Sequence, residues 1–431
     1  MDFKYHIDEC PAKNGEMIVL SLQHVFAMFG STVLVPILIG IDVSVALFTA
    51  GMGTLLYSLA TKAKVPVFIG SSFAYIGILS LLVSEYGQSY ASLAVMSVGV
   101  IYILLSFLIR AAGTKWLDYI LPPVIMGPVI IVIGLSLAST AIDNSGLGME
   151  SFNPTYAFIS LSTLLVTSVA MMRGNNFSKS IPILIGIGYG YVASLLLGLV
   201  DLSVFKDVTL FSMPQFYNPF IAGEFDFNPA VVAAVIPLVF VTVAEHIGDH
   251  TVSSTITGKN FLKDPGLDKT LLGDGLATLF AGFVGGPVNT TYAENTGVII
   301  LTRVASTAVI RLAAVFAMII AFLAPVNVFI NSIPAPVMGG ISIALFGLIA
   351  QNGVKLLVAG NVDFNHPRNM MIIAVILIIG LGGAILSFNI GSITFEFTTM
   401  SLAALVGIFF HLVLPEKQAS LTKNNAFDNV K

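Results

Sequence analysis

Residues Asn289 to Arg303 read NTTYAENTGVIILTR and lie deep inside a very apolar chain. The stretch opens with polar residues and carries a carboxylate at Glu294, while Gly286 and Pro287 just before it prevent a helix from running straight through. Lipid offers no hydrogen bonds to irregular backbone, so a membrane chain tolerates such a break only where it lines a cavity or is buried in protein. The stretch therefore predicts one half of a binding site.

The composition of the chain sets its class. Hydrophobic residues make up 56% of the 431 residues, charged residues only 10%, and the mean hydropathy is +0.94. Soluble domains average about a quarter charged residues, so we expect an all-α polytopic membrane protein surrounded by membrane lipid. The net charge of −4 and the absence of a basic run give no sign of a nucleic-acid partner. The single cysteine, Cys10, excludes an internal disulfide and fits no cysteine-based metal or redox site.

Apolar stretches long enough to cross a bilayer recur along the chain with short gaps between them. Fourteen predicted spans lie at 17–40, 43–61, 65–84, 90–113, 116–142, 154–172, 177–200, 228–258, 271–285, 287–303, 305–333, 334–360, 367–383 and 395–415. Lysines and arginines collect in alternate loops, such as Lys62 and Lys64, whereas the opposite loops hold acids such as Asp42 and Glu150. This bias predicts a multi-pass protein of the cytoplasmic (inner) membrane with both termini cytoplasmic.

Four short matches between the two halves of the chain occur in the same order at a nearly constant offset. They pair Leu22–His24 with Ala244–His246, Gly51–Ala60 with Gly273–Gly282, Ser71–Ala74 with Thr290–Ala293, and Pro122–Gly127 with Pro334–Gly339. The offset carries seven spans, an odd number, so the second copy enters the membrane from the opposite side. We therefore predict a 7+7 inverted repeat with its substrate site where two interrupted spans meet. These are spans 3 and 10, broken by short antiparallel β-strands at 65–69 and 288–292.

The eighth span carries four ionisable residues in an otherwise apolar helix: Glu245, His246, Asp249 and His250. Ionisable groups at this depth are expensive and are retained where something depends on them. The two acids share one helix face and the two histidines another. Both a functional acid at Glu245 and an internally satisfied polar knot are compatible with this pattern. The histidines, and His24 at the repeat position of His246, are equally compatible with tying helices together.

A metal site is a further interpretation of the eighth span. His246-Ile-Gly-Asp249-His250 is similar to the zinc-binding pattern H-x-x-E-H, although it lacks the glutamate base and a clear extra ligand. Under this alternative the protein would be a membrane-embedded metal hydrolase using His246 and His250. Asp274, between two glycines of the ninth span, is interpreted as structural.

The candidate site combines acceptors and donors that suit a planar heterocycle. Glu245 and Glu294 accept hydrogen bonds when ionised, and backbone N–H groups at Phe73 and Ala293 begin the two half-helices. The rings of Phe73 and Tyr292 are expected to flank the ligand. Pyrimidine and purine bases present ring N–H donors beside C=O acceptors and fit this set.

An anion exchanger is another alternative, but it would not normally place two acids at the centre of its site. Buried acids close to one another exchange protons near neutral pH, which predicts coupling to a proton gradient.

The motif Glu294-Asn295-Thr296-Gly297 followed by Thr302-Arg303 matches E-N-x-G-x4-T-R. Together with LQHVFAMFGSTVLVP, GSSFAYI, AGTKWLD, AEHIGDH, DPGL and NTTYAENTGV, it makes the whole chain resemble the nucleobase–ascorbate transporters, also called nucleobase–cation symporters. The resemblance is strongest to bacterial members that carry uracil. It implies proton-driven uracil uptake by alternating access, no enzymatic activity, and no cofactor or metal beyond the proton as coupling ion.

The resemblance also implies a division into domains. It assigns 1–115 (spans 1–4) and 228–333 (spans 8–11) to a core domain, and 116–200 (spans 5–7) and 334–415 (spans 12–14) to a gate domain. An extracellular loop is expected at 201–227 and a cytoplasmic tail at 416–431. A homodimer through the gate domain is compatible with the same resemblance.

Residue by residue, the resemblance assigns substrate contacts to Phe73, Glu245, Tyr292, Ala293 and Glu294. It assigns proton coupling to Glu245, Asp249 and Glu294, and supporting polar roles to Gln23, His24, Ser72, His246 and Asn295. Asp249 departs from the pattern that the resemblance implies, because the best-described uracil carrier of the family has histidine at that position, whereas many purine carriers have aspartate. A xanthine or other purine-base proton symporter of the same family therefore stays open as an alternative substrate assignment.

Overall fold

The structure is a computed structural model that describes residues 2–390 and 393–415, so the predicted tail at 416–431 lies outside the described residues. In the first half of the chain the helices are α1 (Asn14–Ile39), α2 (Val43–Ala60), α3 (Ile76–Tyr86), α4 (Gln88–Ala112), α5 (Lys115–Ile120), α6 (Pro123–Ser136), α7 (Ala138–Asn144), α8 (Pro154–Arg173), α9 (Asn176–Ser180) and α10 (Pro182–Leu196). In the second half they are α11 (Pro219–Ala222), α12 (Pro229–Thr257), α13 (Leu267–Phe283), α14 (Ala293–Thr302), α15 (Thr307–Ala321), α16 (Ala324–Asn331), α17 (Ala335–Ala359), α18 (Pro367–Leu381) and α19 (Thr399–Val413). The strands are β1 (Ile69–Ser71), β2 (Asn289–Thr291), β3 (Leu386–Ile390) and β4 (Ile393–Phe397).

The described part of the chain is mostly helical and rich in apolar helices. Seven helical segments of 18 or more residues are long and apolar enough to cross a membrane: α1, α2, α4, α6 with α7, α8, α12 and α17. Five shorter apolar segments of 10 to 17 residues accompany them in the described chain, and they contain α3, α10, α15, α18 and α19. The chain is therefore an integral membrane protein, as its composition predicts. The arrangement of fourteen spans stays a prediction.

Prolines divide three of the predicted spans into shorter helices. The segment predicted at 116–142 forms α5, α6 and α7, and Pro123 begins α6. The segment at 177–200 forms α9 and α10, with Pro182 at the start of α10, and the segment at 305–333 forms α15 and α16, with Pro325 in the first turn of α16. Proline has no backbone N–H to donate, so it fits the first turn of a helix and separates it from the helix before.

A β-hairpin formed by β3 and β4 corrects the prediction of an all-α chain broken only at spans 3 and 10. β3 pairs with β4 in antiparallel register, with Phe388 opposite Phe395. The last helix begins at Thr399 instead of 395. The sequence between Leu386 and Ile390 alternates apolar and polar residues, which is the period of a strand and not of a helix.

The predicted strand pair at the two chain breaks is present. β1 and β2 are antiparallel, with Ile69 opposite Thr291, Gly70 opposite Thr290 and Ser71 opposite Asn289. After β1 the chain makes one 3₁₀ turn from Phe73 to Tyr75 and continues as α3, and after β2 it enters α14 directly. Two short helices therefore begin next to each other in the interior of the helical bundle.

The helices around this strand pair come from both halves of the chain. α13 packs against α4 and α2, and α15 packs against α2 and α1. α1 and α2 contact β1, while α12 and α13 contact β2. A Cβ added to Gly99 would lie 2.4 Å from the backbone nitrogen of Leu279, and one added to Gly51 would lie 2.4 Å from the Ala314 carbonyl oxygen. Small residues allow helices within a membrane to approach this closely. A second group is formed by α6, α8, α17, α18 and α19, in which α17 packs on α6 and α8, and α18 packs on α6 and α19.

Candidate functional site

Backbone hydrogen bonds on either side of the strand pair lock the two breaks together. The Ser72 N–H donates to the Val288 carbonyl oxygen at 2.8 Å, and the Tyr292 N–H donates to the Phe68 carbonyl oxygen at 3.0 Å. Asn289 fixes the pair to the surrounding helices, because its side-chain amide donates to the Ala277 carbonyl oxygen of α13 at 3.2 Å. Most of the irregular backbone at the breaks is thus satisfied inside the protein, as its depth in the membrane requires.

Two N–H groups at the breaks have no partner. No hydrogen bond from the backbone N–H of Phe73 or of Ala293 is present within the described residues. These residues begin the 3₁₀ turn before α3 and the helix α14, where the first N–H groups have no acceptor of their own in the helix. Both N–H groups are therefore free within the described residues, and their role as ligand donors stays a prediction.

Tyr292 holds the breaks together through its side chain. Its ring is only 4% exposed, and its hydroxyl donates to the Ser71 carbonyl oxygen at 3.0 Å while it accepts from Thr32 Oγ1 at 3.2 Å. A Cβ on Gly70 would lie 2.4 Å from this ring, so only glycine fits there. The contacts observed for Tyr292 are structural, and they leave little ring surface for a ligand. Its predicted substrate contact stays a prediction.

Phe73 occupies a different environment from Tyr292. Its ring is partly exposed and meets the ring of Phe346 of α17 edge to face, with the centroids 6.1 Å apart. Phe73 therefore stands where the helices around the breaks meet the second group of helices. The sequence carries no signal that would single out Phe346, since it is one apolar residue among many in its helix.

The three acids of the site differ in what holds them. Thr291 Oγ1 donates to Asp249 Oδ2 at 2.8 Å, and Ser31 Oγ donates to Glu294 Oε1 at 2.7 Å. The carboxylate of Glu245 receives no hydrogen bond within the described residues. All three lie close enough for their charges to interact, and no lysine or arginine in the described chain pairs with any of them. The site thus presents one unengaged acid and two that are held in place.

The two histidines of the eighth span belong to a buried network. His246 Nδ1 lies 2.7 Å from Asp274 Oδ2 and its Nε2 lies 2.9 Å from Thr270 Oγ1, with His246 and Asp274 both fully buried. His250 Nδ1 donates to the His246 carbonyl oxygen at 2.7 Å, and its Nε2 lies 2.5 Å from the Tyr57 hydroxyl. All four ring nitrogens are engaged, so the histidines tie α12 to α13 and α2. This arrangement does not favour the metal hydrolase, because the ring nitrogens that would bind a metal already have partners.

The remaining supporting residues fall into two kinds. His24 joins α1 to α14, because the Asn295 amide donates to the His24 carbonyl oxygen at 3.0 Å and lies 3.1 Å from its Nδ1. Ser72 Oγ and Gln23 Oε1 are buried and have no hydrogen-bond partner among the residues that the structure describes. His24 thus joins two helices, which is one of the two roles compatible with its sequence position, and the supporting roles of His24, Ser72 and Gln23 at the site stay predictions.

Sequence reasoning missed the hydroxyl groups that hold the acids. Ser31 and Thr291 were not among the predicted site residues, although both lie in the motifs that carry the family resemblance. The available signal was that Ser31 and Thr32 are consecutive hydroxyl residues in the part of α1 after His24, which is otherwise apolar. Interior hydroxyls of a membrane helix can bond across helices, so each is a candidate contact.

The fold and the site together define a membrane transport protein, in which apolar helices enclose two adjoining half-helix starts with acids and free N–H groups at the breaks. Residues 15–413 match the sequence profile described as "Permease family". The chain belongs to this permease family, in agreement with its resemblance to the nucleobase–ascorbate transporters, and it is a transporter and not an enzyme.

Relatives match the chain over nearly its whole length. The uracil permease of Bacillus caldolyticus is 42% identical over 423 residues, which cover 96% of each chain. The uracil permease of Bacillus subtilis (strain 168) is 42% identical over 420 residues, 95% of each chain. Among solved structures, the transmembrane domain of a cyanobacterium bicarbonate transporter, BicA, has a TM-score of 0.59 at 15% identity, covering 94% of this chain and 99% of that domain. At that identity the likeness shows a shared transporter fold and carries nothing about substrate.

Proposed function

We propose that the chain carries uracil across the cytoplasmic membrane together with protons, by alternating access. The observation that supports this best is that the site offers both an acceptor and donors without partners in the described chain. The acceptor is the carboxylate of Glu245, and the donors are the backbone N–H groups of Phe73 and Ala293. Uracil presents ring N–H groups beside C=O groups, so it can satisfy both kinds at once. Two relatives that are 42% identical over nearly the full chain carry the name uracil permease. A ligand that covers these groups without pairing them costs them their hydrogen bonds to water, so a site of this kind selects ligands that complete it.

Proton coupling is proposed from the charges of the site. Glu245, Asp249 and Glu294 stand together without a cationic partner in the described chain. Several carboxylates in one buried site do not all stay charged unless something compensates them. Proton uptake from one side and release to the other supplies that compensation, with the proton as the only coupling ion and no cofactor.

The proposed architecture is the 7+7 inverted repeat, with core and gate domains and both termini cytoplasmic. Two contacts between the proposed repeats support it. Lys4 precedes the first repeat, and its backbone N–H donates at 2.8 Å to the carbonyl oxygen of Arg303. Arg303 directly follows α14, the half-helix of the second repeat. Glu224 precedes the second repeat, and its carbonyl oxygen accepts from Ser89 Oγ at 2.6 Å. Ser89 lies in the first turn of α4, directly after α3, the half-helix of the first repeat. Each copy thus begins against the end of the other copy's half-helix. The gate domain is also the proposed face of a homodimer.

A purine base such as xanthine is the second candidate substrate, and Asp249 is the observation that favours it. Its carboxylate is fixed by Thr291 at the same strand pair and adds a second acid to the face of the eighth span. The identity to proteins named as uracil permeases makes uracil the leading proposal.

Transport by the purified chain in proteoliposomes tests the proposal. Labelled uracil should accumulate when the proton gradient is directed inward and should only equilibrate when the gradient is collapsed. Excess unlabelled uracil should block uptake, and excess xanthine should leave it unchanged. Competition by xanthine but not by uracil would replace the substrate assignment, and accumulation that ignores the gradient would overturn the coupling.

A further inference from the structure

We propose that Ser31 of α1 is a positioning residue that fixes the carboxylate of Glu294, so that one oxygen is held and the other is presented to the substrate. This inference rests on the proposed function, because it concerns how the same site recognises its ligand. Ser31 is fully buried, and its Oγ donates to Glu294 Oε1 at 2.7 Å. Hydrogen bonds to a carboxylate are shorter and stronger than those between neutral groups, so this contact restricts the rotamer of Glu294.

The contact joins two parts of the chain that are 263 residues apart. Glu294 is the second residue of α14 and is partly exposed, whereas the serine is enclosed by the bundle. The second carboxylate oxygen, Oε2, receives no hydrogen bond from another residue of the described chain. Ser31 thus engages one oxygen of the carboxylate, the residue's own backbone N–H also lies within hydrogen-bond reach of the carboxylate, and Oε2 is the oxygen that no other residue of the described chain engages.

The next residue of α1 makes a parallel contact. Thr32 Oγ1 lies 3.2 Å from the hydroxyl of Tyr292. Tyr292 and Glu294 flank Ala293, whose side chain is exposed and whose N–H has no partner. Two consecutive residues of α1 therefore hold the residues on either side of the free N–H donor.

This geometry has a consequence for the ligand. An N–H donor at Ala293 and an acceptor at Glu294 Oε2 are kept in a constant relation by the same turn of α1. Their complement is a ring edge on which a C=O group adjoins an N–H group, which is the imide edge of a pyrimidine such as uracil. A carboxylate that rotates freely loses this match, because each extra rotamer must be given up when the ligand binds.

The test compares two serines of the same helix. Ser31→Ala removes the hydroxyl and leaves the packing otherwise intact. Ser21→Ala is the matched control, since Ser21 is also fully buried on α1 but donates to the Val309 carbonyl oxygen at 3.0 Å, away from the acids. Uracil binding is measured on the full chain in detergent, uptake in proteoliposomes, and thermal unfolding on the same samples.

We expect Ser31→Ala to raise the Kd and the KM for uracil about tenfold, with the maximal uptake rate unchanged within about twofold, because an interaction of the bound ligand is weakened in ground and transition state alike. Ser31→Thr, which keeps the hydroxyl, should restore most of the affinity. Ser21→Ala should leave the Kd unchanged whatever it does to the unfolding temperature.

Two other outcomes are informative in different ways. An unchanged Kd in Ser31→Ala, with only a lower unfolding temperature, would make the contact structural and overturn the inference while leaving the proposed function intact. If the unmodified chain binds xanthine and not uracil, the substrate proposal fails and the same comparison of Kd values with xanthine decides the role of Ser31. If it binds neither base, both proposals fall.

Discussion

Thr291 Oγ1 donates a 2.8 Å hydrogen bond to Asp249 Oδ2 and so joins the second chain break to the eighth span. Asp249 is the residue that keeps a purine base open as the second candidate substrate, and the structure attaches it to β2. Thr290, which precedes Thr291 on β2, is also buried, and the hydroxyl of Thr290 has no partner within the described residues. Two adjacent threonines with the same side chain thus differ in whether they touch an acid.

We predict that Thr291→Val slows proton-driven uracil uptake about tenfold, because it leaves the half-buried carboxylate of Asp249, one of the proposed coupling acids, without its donor. Binding of uracil should change less than about threefold, since Glu245 and Glu294 are untouched. Gradient-driven uptake and equilibrium binding, measured side by side, check this. Thr290→Val is the matched control and should leave both unchanged. Equal effects of the two substitutions would show that Asp249 does not depend on Thr291.

Gly70→Ala should disrupt the pairing of the two breaks. The added Cβ would lie 2.4 Å from the ring of Tyr292, and that ring is held on one side by the Ser71 carbonyl and on the other by Thr32. Overpacking of this kind costs about 1–3 kcal/mol, so we expect a lower unfolding temperature and a loss of uptake. Gly77→Ala, at a position with no atoms within 4 Å of the added Cβ, is the stability control. Normal unfolding of Gly70→Ala would mean that the ring moves aside freely.

Much of this site follows from local sequence, and the remainder depends on which distant segments meet. The polar stretch after Gly286 and Pro287 predicts the break at β2, because membrane backbone cannot stay irregular in lipid. The four ionisable residues of the eighth span predict a functional helix for the same reason. By contrast, Ser31 and Glu294 are 263 residues apart, and nothing in either segment names the other as its partner. The β3–β4 hairpin was missed because a prediction built on long apolar runs did not weigh the alternation of polar residues from Leu386 to Ile390.

The histidine network yields a prediction about stability. Tyr57 is fully buried and its hydroxyl lies 2.5 Å from His250 Nε2, so Tyr57→Phe leaves a buried ring nitrogen without a partner. We expect a loss of about 1–3 kcal/mol in the free energy of unfolding, with uracil affinity changed less than about threefold, because the hydrogen bonds of the two histidines go to Tyr57, Thr270 and Asp274 and not to Glu245, Asp249 or Glu294. Denaturant or thermal unfolding with and without uracil measures both quantities. Tyr86→Phe, whose side chain is 60% exposed, should be neutral. A large loss of affinity in Tyr57→Phe would place the histidines in the binding site after all.

Glu245→Gln should abolish high-affinity uracil binding, with a Kd at least about a hundredfold higher. Glu245 is the acid of the site whose carboxylate receives no hydrogen bond within the described residues, so its acceptor capacity is fully available to a ligand. Glutamine has nearly the same shape but replaces one acceptor oxygen with an N–H₂ donor, which would face the ring N–H of uracil donor to donor. A site built around such a pair loses several kcal/mol of binding free energy when one partner is mismatched, and about 1.4 kcal/mol corresponds to each tenfold in Kd.

Binding of labelled uracil to the purified Glu245→Gln variant checks this prediction. Glu85→Gln is the control, because Glu85 is an exposed acid at the end of α3. Because glutamine carries no charge, the variant also tests whether the acid or merely its shape is recognised. Tight binding by the Glu245→Gln variant would move the acceptor role to Glu294, the acid that Ser31 holds in place.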